Sequence, residues 1–139
     1  MSGQGDTRQR VLQPPSWPRP SGYANGIAAT GETIFLAGQI GWDVERRFAN
    51  GLADQVRQAL ENIVTLLAET GAGPQHIVRL TWYVTDLNAY RASLPQIGAG
   101  YRAVMGRHFP TMSVIGVSAL VEPQALVEIE ATAVVPNGS

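Results

Sequence analysis

Cysteine is absent from the 139-residue chain, and histidine occurs only twice, as His76 and His108. The first absence excludes thiolate catalysis, disulfide bridges and iron–sulfur clusters. The second removes nearly every zinc site, because the two imidazoles are distant in sequence and have no acidic residue at ligand spacing. Both are read as surface or interface side chains, and no metal or cofactor is expected. No apolar run approaches the ~20 residues of a membrane span, and the first residues lack the apolar core of a signal peptide. A cytoplasmic protein without a membrane partner is therefore expected. An excess of one charge is missing too: ten basic against eleven acidic residues leave a net charge of −1, so nucleic-acid binding, which needs a basic stripe, is not expected. Whatever chemistry the chain performs must use oxygens, backbone groups or arginines.

What remains is the composition of a globular protein, 45% hydrophobic and 15% charged. At this length one domain is expected, burying roughly 68–70% of its unfolded surface. Residues 1–21 are polar and then proline-rich, with Pro14, Pro15, Pro18 and Pro20 around Trp17, and read as an extended tail or strap. Trp17 either docks on the body or a neighbouring chain, or the prolines form a PxxP ligand. Residues 22–135 form the single domain, and 136–139 a C-terminal tail in which Asn137-Gly138-Ser139 matches the glycosylation triplet only formally.

Within the domain, Gly26 to Ala29 and Thr33 to Ile40 read as a hairpin whose second strand is apolar on both faces, hence central and covered on both sides. Gly38 within it marks a bulge or a close backbone approach. Leu52, Val56, Ala59, Leu60, Ile63 and Leu67 recur at helical steps, with Asn50 as N-cap and Gly71 and Pro74 as the stop. Val78, Leu80, Trp82 and Val84 alternate with polar residues as a strand. A second helix is expected between Leu94 and Arg107, and two strands follow, about Met112 to Ser118 and Leu126 to Val134. The order ββ-α-β-α-ββ predicts an α+β fold, a mixed β-sheet with two helices on one face.

In the last strand Glu128 and Glu130 share one face with Leu126 and Thr132, opposite Val127, Ile129 and Ala131. Two carboxylates there are either a solvated face or a group that holds a water and accepts a proton. The string Gly98-Ala-Gly100-Tyr-Arg-Ala103 matches a dinucleotide-loop pattern, but no strand leads into it and it reads as coincidence. Arg46 with Arg47, and Arg102 with Arg107, read as loop and helix surface.

Taken in order, Tyr23-Ala-Asn-Gly26, Phe35-Leu-Ala-Gly-Gln-Ile40, Gln55 to Ile63, Val78 to Leu87, Phe109-Pro110 and Val127-Glu-Ile-Glu-Ala131 resemble the Rid/YjgF family of enamine/imine deaminases, also called L-PSP endoribonucleases. The resemblance spans Gly22 to Val135. It implies a chorismate-mutase-like fold, a homotrimer with a small-molecule ligand in clefts between subunits, and, in active members, hydrolysis of imines derived from amino acids. It also implies a site made of Glu128, which positions the water, and of Tyr23, Ala37, Gly38, Gln39, Met112 and Val114, which line the substrate. Active members carry an arginine at the position of Met112, whose paired hydrogen bonds to a carboxylate a thioether does not make. Ala37 stands where serine is frequent, Val114 where cysteine is, and Gly98 aligns with an asparagine. The resemblance thus implies a divergent hydrolase with little activity on 2-iminoacids. The alternatives are a non-catalytic trimer that binds a metabolite or protein and, third, an RNA-binding protein or endoribonuclease. Arg102 or Arg107 is the candidate replacement for the missing guanidinium.

Overall fold

The computed structural model describes residues 8–137; residues 1–7 of the expected lead-in and 138–139 of the expected C-terminal tail, with the end of the glycosylation triplet, lie outside the described residues. Alternation builds the centre of the molecule. In strand β6 (Val127–Val135) the side chains of Val127, Ile129, Ala131 and Ala133 are buried while Glu128, Glu130 and Thr132 face the other way. Strand β4 (Ile77–Val84) lies antiparallel to β6, pairing Trp82 with Ile129 and Leu80 with Ala131. Strand β3 (Glu32–Ile40) runs antiparallel along the other edge of β6, and β5 (Thr111–Gly116) runs parallel to β4. The resulting sheet has the order β3-β6-β4-β5, in which β4 and β5 are parallel and the other neighbours antiparallel. The parallel pair needs a crossover, which the second helical segment supplies.

Helix α1 (Leu52–Ala68) sets Val56, Ala59, Leu60, Ile63 and Leu67 against the sheet, all with no exposed surface. Each of the four larger side chains contributes on the order of 1.5–3 kcal/mol relative to exposure. Its N-cap is Gly51 rather than Asn50, at φ 91°, and no side chain caps it. The buried Gln55 caps no helix N–H but ties the flanking loops to this turn. Its Nε2 donates to the carbonyls of Ala49 (3.3 Å) and Gln124 (3.1 Å), and its Oε1 accepts the N–H of Leu126 (2.8 Å), fastening the loop before β6 to the first turn of the helix. Gly71, at φ 77°, ends the helix as expected. The second helical segment is two helices: α2 (Leu87–Ala92), whose start is capped by Asp86 accepting the Ala89 N–H, and α3 (Leu94–Met105), which packs Ile97, Tyr101 and Met105 inward. Gly98 and Gly100 lie inside α3, so their pattern is no phosphate loop.

Three further expectations need correction. The hairpin is not formed: β2 (Gly26–Ala28) pairs with β1 (Arg10–Leu12), a strand within the proline-rich lead-in. The lead-in also makes a turn, with Trp17 N–H donating to Pro14 O at 3.1 Å, and Trp17 stays 56% exposed instead of docking on the protomer. The second correction concerns β3, which is an edge strand with Phe35 78% exposed. Its two-sided apolar pattern is real, since Ile34 and Leu36 pack on the core, but among the described residues none covers Phe35. Third, β4 carries an irregularity at Val78, so Ile77 takes the core position.

Candidate functional site

Parity along the strands decides where the candidate residues stand. Side chains of directly paired residues share a face of the sheet. Trp82 pairs with both Ile129 and Val114, and Leu80 pairs with Met112, so Met112 and Val114 lie on the helix side. Glu128 pairs with Tyr83 and Ile40 and lies on the open side. The candidates therefore separate into two groups, one on each side of the sheet.

On the open side, β3 bulges between Leu36 and Gln39. The bulge brings Gly38 under Glu128: a Cβ built on Gly38 would stand 2.7 Å from the Glu128 carboxyl carbon and closer still to Oε2. The expected close approach is thus to a carboxylate of the same chain, and only glycine leaves room for it. Ala37 is exposed, and its carbonyl accepts the Gln39 amide at 3.1 Å. Among the described residues, the half-buried Glu128 carboxylate has no hydrogen bond and no ion pair. Glu130 differs, because Tyr83 Oη donates to it at 2.9 Å. That bond, followed by partial burial, raises the Tyr83 pKa above its ordinary value of 10.0. One carboxylate of the pair is engaged and the other is free.

On the helix side, Met112 and Val114 form the floor of an open cleft of about 670 Å³ between β5, α3 and the segment around Tyr23. The Ala24 N–H donates to Pro110 O at 3.1 Å, which places Tyr23 beside the start of β5. An aromatic series makes the wall: Trp82 and Tyr101 stack at 6.5 Å between centroids, Tyr101 and Phe109 at 5.5 Å, and Tyr90 meets Trp82 edge-on at 6.3 Å. Burial pushes the Tyr101 phenol well up, and its Oη donates to His108 O at 2.6 Å, so Tyr101 is a structural wall and no acid. The Trp82 indole N–H is buried without a partner, unusual for a group that costs free energy when left unpaired. Arg102 lines this cleft; Arg107 lines a neighbouring one beneath the strap.

The two histidines are half-buried and tied to backbone rather than lying free on the surface. His76 Nδ1 accepts the Gly73 N–H at 3.0 Å, and His108 Nε2 lies 2.7 Å from Ile77 O. Among the described residues no group of acidic and histidine side chains is arranged to hold a metal ion, and no helix is long and apolar enough to cross a membrane. Sequence reasoning missed Gln55 and the orphan Trp82 N–H. A glutamine at the start of an apolar helix face was a signal for the first; nothing local signals the second.

This arrangement is similar to known proteins. The family model described as Endoribonuclease L-PSP matches residues 18–135. A RutC family protein of Synechocystis is 32% identical over 92% of this chain and 98% of its own. A human protein named 2-iminobutanoate/2-iminopropanoate deaminase is 27% identical over 91% of this chain and 90% of its own. Among solved structures, the Rid-family protein YyfB of Yersinia pestis, titled as of unknown function, superposes with a TM-score of 0.80 at 36% identity, covering 92% of this chain and 99% of that one. The YjgF protein of E. coli gives 0.65 at 31% identity, over 81% and 87%. The mixed sheet with helices on one face is accordingly the chorismate-mutase-like fold of those structures, and the chain belongs to the L-PSP endoribonuclease family, the Rid/YjgF/RutC proteins.

Proposed function

We propose that the chain is a small-molecule hydrolase of the deaminase type, acting on an imine, an enamine or a related metabolite in clefts completed between copies of a homotrimer. The observation that carries this reading is the free Glu128 carboxylate, held over the Gly38 bulge while its neighbour Glu130 is occupied by Tyr83. A protonated imine carbon is already electrophilic, so one carboxylate that orients a water is sufficient machinery. Glu128 takes a proton from the water as its oxygen bonds to the imine carbon. Glu128 passes this proton to the nitrogen of the resulting carbinolamine, then takes the hydroxyl proton as the C–N bond breaks; ammonia and a carbonyl compound leave, and the proton returns to solvent. An enamine enters the same course after protonation at carbon. The bulge residues Ala37 and Gly38 border the water, and Gln39, paired with Ile129, braces the bulge through its amide on Ala37 O. Tyr23, Met112 and Val114 of a second copy form the wall against which the substrate lies, because within one protomer the sheet stands between them and Glu128.

Met112 sets the specificity. Without a guanidinium at this position the cleft lacks a contact worth roughly 2–5 kcal/mol to a substrate carboxylate, by analogy with truncated charge pairs, so turnover of the smallest 2-iminoacids is weak. The test compares Glu128→Gln with Glu130→Gln, with ammonia release followed from imines generated in situ by an amino-acid oxidase. Loss of turnover confined to Glu128→Gln is expected; equal losses, or none, refute the assignment. The apolar floor at 112 and 114 favours a second reading, a non-catalytic binder, in which a ligand raises the melting temperature of the wild type and of Glu128→Gln alike without being consumed.

A further inference from the structure

Among the described residues, the lining of the helix-side cleft contains a single charged one, Arg102. Gly98 and Arg102 are four positions apart on α3 and share one face of it. Glycine at 98 leaves the guanidinium its place: Arg102 Nη1 lies 3.2 Å from the point where a Cβ at 98 would stand, so a methyl would crowd it and a longer side chain would displace it. Among the described residues no carboxylate lies within ion-pairing distance of Arg102, whereas Arg47 and Arg57 are each paired with acidic neighbours. Around it the cleft is aromatic and aliphatic, with Trp82, Tyr101, Phe109 and Met112 presenting rings and a thioether.

We infer that Arg102 is the anion-binding group of this cleft, admitted by Gly98, and that the cleft takes an organic anion with an aromatic body. The inference rests on the reading that the cleft receives substrate. Ring faces and Met112 accept an apolar body at little desolvation cost. A guanidinium without a protein partner binds a carboxylate through paired N–H donors. Its place on α3, rather than on the β5 floor, moves the anionic group of the ligand from the floor to the helix edge of the cleft. That shift selects against the smallest iminoacids and in favour of ligands with a ring between floor and edge. The volume of about 670 Å³ is ample for such a molecule, lying within the usual range for ligand pockets.

The experiment is calorimetric titration of the full chain at low salt with two probes, 3-phenylpropanoate and its neutral isostere 3-phenylpropanamide. The wild type should bind the anion about five- to tenfold tighter than the amide, the modest factor reflecting an exposed guanidinium. Arg102→Ala should bring the two affinities within about twofold while the amide affinity and the melting temperature hold, since the side chain is exposed. Gly98→Leu should narrow the gap by displacing the guanidinium, and Arg107→Ala, in the neighbouring cleft, should leave it intact. Equal affinities in the wild type, or a gap that survives in Arg102→Ala, overturn the role of Arg102 and leave the cleft as a binding site. Failure of both probes to bind the wild type overturns the cleft reading and this inference together.

Discussion

Replacing Gly38 by alanine tests the relation between the β3 bulge and the candidate acid without requiring a known substrate. The three atoms nearest to the added Cβ all belong to Glu128, the closest of them an oxygen of its carboxylate. Overpacking of this kind costs about 1–3 kcal/mol, and the reduced freedom of the unfolded chain returns about 0.4–1 kcal/mol, since Gly38 is not in the left-handed region. The net loss in the wild type is then on the order of 0.5–2 kcal/mol. In a Glu128→Ala background the obstruction is gone, and the same change should be neutral or stabilising by about 0.4–1 kcal/mol. A coupling of roughly 1–3 kcal/mol follows for the double-mutant cycle. For a domain of this size it appears as a difference of about 3–10 °C in melting temperature, measured by scanning calorimetry at one fixed protein concentration. Gly31→Ala is the control, because there the Cβ meets the backbone of Val135 at a φ of 151°; it should destabilise equally with or without Glu128. Additive effects of Gly38→Ala and Glu128→Ala would refute the account of the bulge.

Two further outcomes are expected. Gln55→Ala leaves the Leu126 N–H and two carbonyls without their partner and should cost about 2–4 kcal/mol in urea unfolding, with early proteolysis in the loop before β6; a loss below about 1 kcal/mol contradicts the clamp. Burial, followed by repulsion from His108, holds the His76 imidazole below its ordinary 6.5, so the unfolded chain takes up this proton first as pH falls. The stability His76 contributes is whole above about pH 6.5 and is lost as pH drops toward its folded value. His76→Gln should flatten the fall in urea midpoint between pH 7 and 5, and an unchanged slope would refute the linkage.

Periodicity made the middle of this chain readable. The alternation Val127, Glu128, Ile129, Glu130 and the three- and four-residue steps from Leu52 to Leu67 each arise from burial of one face, and the structure keeps both. Strand β1 left no such trace: its three residues are all exposed, and its partner, β2, is fourteen or more positions away. The edge position of β3 was misread for a related reason, since a pattern records that Phe35 needs cover and not which chain supplies it. Glu128 and Met112 are equally visible as residues. That they stand on opposite sides of the sheet depends on the pairings of Tyr83 with Glu128 and of Leu80 with Met112, and register belongs to two strands together.

The thickness of the sheet between Glu128 and the cleft also bears on how such a protein changes over generations. Substitutions on α3 and on the inward side of β5 alter what is bound while leaving the packing around the acid undisturbed, because the residues set against Glu128 on the open side come from β3 and β4. The acid can therefore stay fixed while the pocket drifts. In this chain Gly38 still clears the space for a carboxylate, and opposite it methionine, valine and glycine occupy positions 112, 114 and 98.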